Sequence, residues 1–265
     1  MSSTRSALRL TVLGSGTSVG VPTIGCQCKV CTSADPRDRR LRPSVYVRYK
    51  EYGILIDTSP DFRYQALRAG IERIDAILYT HAHADHILGL DDVRPFNFHQ
   101  RGSIPIFAAD DHLEVIRHCF SYIFDGRQSQ SSKPKIEAHP INGRRFSLFG
   151  LEVTPLRLPH GDHGFSYGFR MGTLAYLTDH SDIPEQVKPG LRGLDVLFLD
   201  ALRYKPHPTH STIERSVQHV AELRPKLAVF THIGHDILHE RAESMLPPHV
   251  RLAYDGMELN VEWSD

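Results

Sequence analysis

Thr80-His81-Ala82-His83-Ala84-Asp85-His86 packs three imidazoles and a carboxylate directly behind the apolar run Ile74 to Tyr79. A run that short, apolar and ended by a polar residue reads as a buried strand of a covered sheet. With the chain extended for a few residues beyond it, His81 and His83 project to the same side, because strand side chains alternate with period two. Two imidazoles so placed can grip one ion. Ile87-Leu88-Gly89-Leu90 and the residues after it read as a helix, which sets Asp85 and His86 at the turn into it, displaced from the first pair and able to serve a second ion. Neutral imidazole and ionised carboxylate suit zinc, manganese or iron, and ions about 3.5–4 Å apart are a recurring device for activating water against a phosphoryl or carbonyl centre. A solvated, histidine-rich loop is the alternative, but this order and spacing is among the more specific short metal motifs. The chain must then fold so that further donors reach this turn.

Three candidates follow apolar, strand-like runs. His160 ends Val153 to Leu158, Asp179 ends Leu174 to Leu177, and His232 ends Leu227 to Phe230. Side chains gathered at the same ends of several strands converge on one pocket in layered α/β proteins. Each of the three taken alone would be an ordinary surface or core residue.

With these residues in view the chain resembles the metallo-β-lactamase superfamily, whose signature is the His-x-His-x-Asp-His present from His81 to His86. The resemblance implies an α/β fold, a four-layer αβ/βα sandwich, with a dinuclear site at one edge. It implies that His81, His83 and His160 hold one ion and that Asp85, His86 and His232 hold the other. Asp179 would bridge them. Superfamily membership leaves the substrate open, since one fold hosts many chemistries.

The amino-terminal region narrows the choice. Gly14-Ser15-Gly16-Thr17-Ser18 follows the strand-like Leu8 to Leu13, and Gly25-Cys26-Gln27-Cys28-Lys29-Val30-Cys31 comes soon after. A dinucleotide-binding turn is disfavoured, because no third glycine arrives in place and Pro22 and the cysteines replace the required helix. Small residues there are expected to let the backbone pass close to the metal site. Cys26, Cys28 and Cys31 are three of the four cysteines in the chain. An odd, tight trio is a poor disulfide framework and a good start for a thiolate metal site, with His235 as the fourth donor. Reduced free thiols or a redox pair are the alternatives. This insertion, with Thr231-His232-Ile233-Gly234-His235, resembles the phosphoribosyl 1,2-cyclic phosphate phosphodiesterase (PhnP-like) branch, and the likeness implies a structural zinc on these four residues. Cys119, on a helix expected over Asp110 to Phe124, reads as ordinary core.

Pro208-Thr209-His210-Ser211-Thr212-Ile213-Glu214 opens a further helix, with Ser211 expected as N-cap, Glu214 closing a capping box, and Ile213, Val217, Val220 and Ala221 as its apolar stripe. His210 lies just outside, free to face a pocket. His-Ser-Thr before a helix resembles the motif of phosphodiesterase members of the superfamily, which implies a general acid for the leaving alkoxide. Ions and a helix amino terminus both disfavour an imidazolium, so such an acid needs a bound phosphate or a carboxylate partner, Asp200 or Asp57. Either carboxylate could instead orient a metal-bound histidine. His210 and Asp85 are thus the expected catalytic residues, and Arg203 and Lys205 are candidate holders of a second phosphate or sugar phosphate.

The expected reaction is hydrolysis of a small phosphodiester, a cyclic ribose phosphate or cyclic nucleotide, by a metal-activated hydroxide with His210 as general acid. The cofactors would be two divalent ions, zinc or manganese, plus one structural zinc. Two other functions stay in competition: a transfer-RNA 3′-processing ribonuclease, and a non-hydrolytic protein of pyrroloquinoline quinone biosynthesis. Formal charge is zero, with 31 basic and 31 acidic side chains, which weighs against long nucleic acid as the partner. A homodimer is compatible with everything above. At 265 residues and 40% hydrophobic content the chain can bury a full core as one domain over 1–265, with the cysteine insertion near 25–31. No apolar run reaches membrane-spanning length, no membrane partner is expected, and Met1-Ser2-Ser3-Thr4-Arg5 lacks the apolar core of a secretion signal. A reducing cytoplasm is therefore expected, in keeping with unpaired cysteines. Asp125 to Pro134 reads as a surface loop and a candidate lid.

Overall fold

Ile54 and Ile56 face one apolar core while Leu55 faces another, and Val196 and Phe198 split from Leu197 and Leu199 in the same way. Runs with two apolar faces must be covered on both sides, which dictates four layers. The structure, a computed structural model, describes residues 5–127, 132–162 and 164–264. The first half of the chain contributes strands β1 (Arg5–Gly14), β2 (Ser44–Tyr49) and β3 (Tyr52–Ile56), helix α1 (Phe62–Ala69), β4 (Ala76–Leu78), helices α2 (Ala84–Ile87) and α3 (Arg94–Gln100), and β5 (Ile104–Ala108). Helices α4 (Asp110–Cys119) and α5 (Ser121–Phe124) follow, then β6 (Ile136–Pro140), β7 (Phe146–Leu148), β8 (Leu151–His160), β9 (Gly164–Met171) and β10 (Leu174–Tyr176). The last part holds β11 (Val196–Asp200), α6 (Ile213–Leu223), β12 (Leu227–Thr231), α7 (His239–Met245), β13 (Val250–Leu252) and β14 (Glu258–Ser264).

These strands form two seven-stranded mixed sheets, ordered β14-β1-β2-β3-β4-β5-β6 and β13-β12-β11-β10-β9-β8-β7. Leu10, Val45, Ile54 and Leu78 of one sheet and Val153, Phe169, Tyr176 and Phe198 of the other share the central core. Leu55, Ile77, Phe62, Phe96 and Leu113 form the outer core under α1, α3 and α4, and Leu197, Leu199, Ile213 and Val220 form the outer core under α6. The fold is the expected αβ/βα sandwich. Strands β3, β4 and β5 run parallel, as do β10, β11 and β12, so their carboxyl ends share an edge. Residues that follow these strands are thereby brought together, the usual origin of sites in such sheets. The Met257 to Trp263 run closes the first sheet as edge strand β14 against β1.

Local differences from the sequence reading have identifiable causes. The helix expected over Asp110 to Phe124 breaks at Phe120, which leaves helical geometry to bury its ring, and α5 starts afresh at Ser121. Cys119 is exposed rather than core, because Leu113, Ile116 and Phe120 take the inward stripe. The cap of α6 is Thr212, whose side chain accepts from Arg215 N at 3.1 Å; Ser211 is buried and instead accepts from the Ser216 hydroxyl. The inward face of α6 is Ile213, Ser216, His219, Val220 and Leu223, with Ala221 exposed. A Cβ on Gly14 would stand 1.9 Å from the Arg42 carbonyl oxygen and one on Gly16 2.8 Å from that of Arg40, so these glycines make room for the 40–42 backbone rather than for the metal site. Of the candidate lid over 125–134, residues 128–131 lie outside the described residues, as do Met1 to Thr4.

Candidate metal centre

The donors converge at the shared strand edge. His81 Nε2 lies 2.9 Å from His83 Nδ1, which lies 3.3 Å from His160 Nε2. Zinc–nitrogen bonds of about 2.0–2.1 Å in tetrahedral geometry require edges of about 3.3 Å, so the three nitrogens are spaced for one ion. A second group comprises Asp85, His86, Asp179 and His232, all buried. Asp179 faces both: its Oδ2 is 3.2 Å from His86 Nε2, and its Oδ1 is 3.3 Å from His232 Nε2 and 4.0 Å from His160 Nε2. His86 Nε2 and both nitrogens of His232 are buried without a hydrogen-bond partner. Buried nitrogens without partners are costly, and an ion among them is what these donors suit. The residues fit the metal that the motif implies.

Partners outside the clusters set which nitrogen three of the rings turn inward. Asp57, at the end of β3, accepts from Thr80 N and Thr80 Oγ1 at 2.8 Å each and from His86 Nδ1 at 2.7 Å. With its single proton given to Asp57, the Thr80 hydroxyl accepts from His81 Nδ1 at 3.0 Å. His160 Nδ1 donates to the Thr209 carbonyl at 2.9 Å. In all three rings Nδ1 is engaged outward and Nε2 is left to face an ion, the usual way proteins fix a ligand tautomer. Burial disfavours a second proton on His86, but Asp85, Asp179 and Asp57 outweigh it and hold the ring well above the ordinary imidazole range, so an ion there displaces the Nε2 proton. Burial holds His81 well below, and His83 and His160 below, the ordinary imidazole range, so all three are neutral. Burial alone would raise Asp179, but His232 and His86 outweigh it and hold the carboxylate ionised.

Three of these residues pay a backbone cost. Asp57, Asp179 and His232 have φ of 63°, 55° and 57°, left-handed conformations that cost a non-glycine residue about 1–2 kcal/mol each. Each follows a strand, and the turn aims its side chain back across the edge rather than along the strand. Strain of this kind concentrates at functional sites.

His210 stands beside the second group. Its Nδ1 is 2.7 Å from Asp200 Oδ2, and its ring stacks on that of His232 with centroids 4.7 Å apart and planes at 10°. Asp200 therefore serves His210, and Asp57 serves His86. His210 also borders a cavity of about 430 Å³, together with Thr17, Ser18, Arg203, Lys205 and His232. Arg203 is partly spent on the loop itself, donating to the carbonyls of Lys205 and Pro206. A cavity of about 500 Å³ elsewhere, lined by Arg145, Arg170 and Trp263, has no histidine or cysteine in its lining.

His235 lines the cavity that His210 borders, and Cys26, Cys28 and Cys31 place their sulfurs 3.3, 3.6 and 3.6 Å from its Nδ1. Zinc–sulfur bonds of about 2.3 Å and a zinc–nitrogen bond of about 2.0 Å call for sulfur–nitrogen edges of about 3.5 Å, so this group too is spaced for one ion. The Cys31 amide lowers the Cys28 thiol to about 6, whereas burial raises Cys31 to about 11.

The sequence reading missed four contributors: Thr80, Thr209, His207 and Arg40. Thr80 precedes the motif and could have been suspected from position. Thr209 acts through its carbonyl, which no side-chain pattern reports. His207 borders the cavity, and its Nδ1 lies 3.3 Å from the Thr209 amide, which can only donate to it. Arg40 sits in the basic stretch Arg37 to Arg42, which reads as surface, yet its side chain is fully buried.

The profile of the β-lactamase superfamily domain matches residues 52–233. A crystal structure of a diphosphatase from the PhnP family superposes with a TM-score of 0.92 at 51% identity, covering 98% of this chain and 100% of that one. An octanoyltransferase of Porphyromonas gingivalis is 38% identical over 96% of this chain but 52% of its own length, so the chain spans about half of that relative. A coenzyme PQQ synthesis protein B of Methylorubrum extorquens is 27% identical, over 73% of this chain and 72% of that protein. Among the described residues no helix is long and apolar enough to cross a membrane.

Proposed function

The chain belongs to the metallo-β-lactamase superfamily and to its PhnP-like branch, as a metal-dependent hydrolase, and from that premise we propose that it cleaves a small phosphodiester with His210 as general acid. The observation that carries this reading is the Asp200–His210 pair, 2.7 Å apart and stacked beside His232. A ring held through Nδ1 offers Nε2 to a substrate in the cavity it borders, where it can protonate a departing oxygen.

His81, His83 and His160 would hold one divalent ion, Asp85, His86 and His232 the other, with Asp179 between them. When bound, such a pair, zinc or manganese, acidifies water and neutralises charge on a phosphoryl oxygen. Asp57, Thr80 and the Thr209 carbonyl keep the ring tautomers that binding requires. Asp200 keeps His210 turned toward the leaving group. Arg203 and Lys205 border the same cavity, where cations suit a second anionic group. Its volume of about 430 Å³ and the zero formal charge favour a cyclic ribose phosphate or cyclic nucleotide over long RNA. Cys26, Cys28, Cys31 and His235 would hold a structural zinc, which suits a reducing cytoplasm.

The test pairs a variant with a substrate panel. His210→Ala should keep its metal content and lose about 10²–10⁴-fold in turnover of bis(p-nitrophenyl) phosphate; unchanged turnover removes His210 from the mechanism. Wild-type protein should hydrolyse ribose 1,2-cyclic phosphate 5-phosphate and leave precursor transfer RNA intact, and the opposite pattern would make it a processing ribonuclease.

A further inference from the structure

One short loop serves both ligand groups. His232 belongs to the buried cluster, and three residues later His235 belongs to the cysteine cluster. The loop's amides are anchored locally, Ile233 N to the Ser15 carbonyl at 2.9 Å and Gly234 N to the Leu202 carbonyl at 2.8 Å. Two of its carbonyls are held by one side chain, and a third, that of His235, accepts from Cys28 Sγ at 3.3 Å. Arg40 Nη1 donates to Gly234 O at 2.9 Å and Nη2 to Ile237 O at 2.8 Å, so the guanidinium brackets His235.

Arg40 is fixed in turn. Nη2 also reaches Asp38 Oδ1 at 2.8 Å, Nε donates to Arg37 O at 3.2 Å, and Asp38 accepts from His239 N at 2.9 Å. The Arg40–Asp38 side chains are 0% and 1% exposed. Taking such a pair out of water costs several kcal/mol per ion and is seldom repaid in stability, so its retention calls for another reason. The Arg40 backbone supplies one: it exchanges hydrogen bonds of 2.7 and 2.8 Å with Val21, at the entry to the cysteine segment. Backbone and side chain of one residue thus tie the thiol half of the cysteine cluster to the loop that carries its histidine and ends at His232.

We propose that Arg40, braced by Asp38, is a positioning residue that couples the two clusters, so that an ion on Cys26, Cys28, Cys31 and His235 strengthens ion binding at His232. The proposal rests on the ligand assignment above but not on the substrate. Partners that orient ligands are worth about 10–100-fold in metal affinity. A coupled pair of changes should also fall short of additivity.

The measurement is zinc content per chain and chelator competition on the full-length holoprotein. Cys28→Ser should lose one ion and weaken zinc at the His232 cluster about tenfold, and Arg40→Met should weaken the same cluster about tenfold. The double variant should stay within about threefold of either single one. A product of the two effects, about a hundredfold, would overturn the proposal, as would unchanged affinity at the His232 cluster in Cys28→Ser. Should Arg40→Met fail to fold, Arg40→Lys keeps the charge but not the fork that reaches two carbonyls. Wild-type affinity in a folded Arg40→Lys protein would equally overturn it. Affinity is read without any substrate, so a chain inactive on every phosphodiester yet showing this coupling would refute the function and leave Arg40's role standing.

Discussion

The buried cluster around Asp179 and the cysteine cluster around His235 are two metal-type sites that meet one cavity through His232 and His235, built by different means. The first gathers donors that end or follow four separate strands, sits at the shared edge of two sheets, and has the tautomers of His81, His86 and His160 set by Thr80, Asp57 and Thr209. The second takes three donors from six consecutive residues of a loop, has two of its thiols half-exposed, and leans on a small satellite core of Val21, Val30 and Leu238. A site that the fold preorganises can hold reactive geometry, whereas a site made by a loop gains its order from whatever binds there.

Four expectations would break or sharpen that contrast. Asp179→Asn should have the largest effect: orienting partners alone are worth about 10–100-fold in metal affinity, so a carboxylate facing both ligand groups should be worth on the order of 10³-fold. Elemental analysis should then find the cysteine cluster still loaded; loss of all ions together would mean the two sites are not separate. Cys28→Ser should leave the fold standing with one ion fewer. If about 2 kcal/mol is lost, melting should fall by about 4–8 °C, and an unchanged ion count would refute the structural zinc.

A pH effect comes next. Burial disfavours a proton on His232, but Asp179 and Asp85 outweigh it and hold that proton up to about pH 9. An ion arriving below that pH must displace it, and the proton that Asp85 and Asp179 hold on His86 as well, so apparent affinity at this cluster should climb by at least about tenfold per pH unit between about pH 7 and 9. Calorimetry in buffers of different ionisation heat should register the released proton, and a flat profile between pH 7 and 9 would contradict it. The smallest effect belongs to Arg203→Ala and Lys205→Ala, which border the cavity but are not buried. KM for a substrate with a second phosphate should rise about three- to tenfold with kcat little changed; a fall in kcat alone would move these cations into the chemistry.

How far the site was legible depended on how local its signals are. His81 to His86 declared themselves because their spacing works within one strand and turn. His160, Asp179 and His232 were legible as residues ending apolar runs. The choice between Asp57 and Asp200 as partner of His210 was not legible, since both follow similar strands and only their places along the edge distinguish them. The break of the long helix at Phe120 and the shift of the α6 cap from Ser211 to Thr212 were misread for a related reason: local propensity was sound, but burial of the Phe120 ring and of Ser211 against Ser216 overrode it.

By itself the sequence determined the donor inventory, the layered α/β fold and the existence of a cysteine cluster, because alternation and motif spacing act over a few residues. Only the tertiary structure decided that β10, β11 and β12 align their ends, that Asp179 faces both groups, and that a guanidinium from a basic stretch is buried beneath the His232–His235 loop. Those outcomes depend on which strands become neighbours and which polar groups find partners in the interior, and neither is encoded in any short window of the chain.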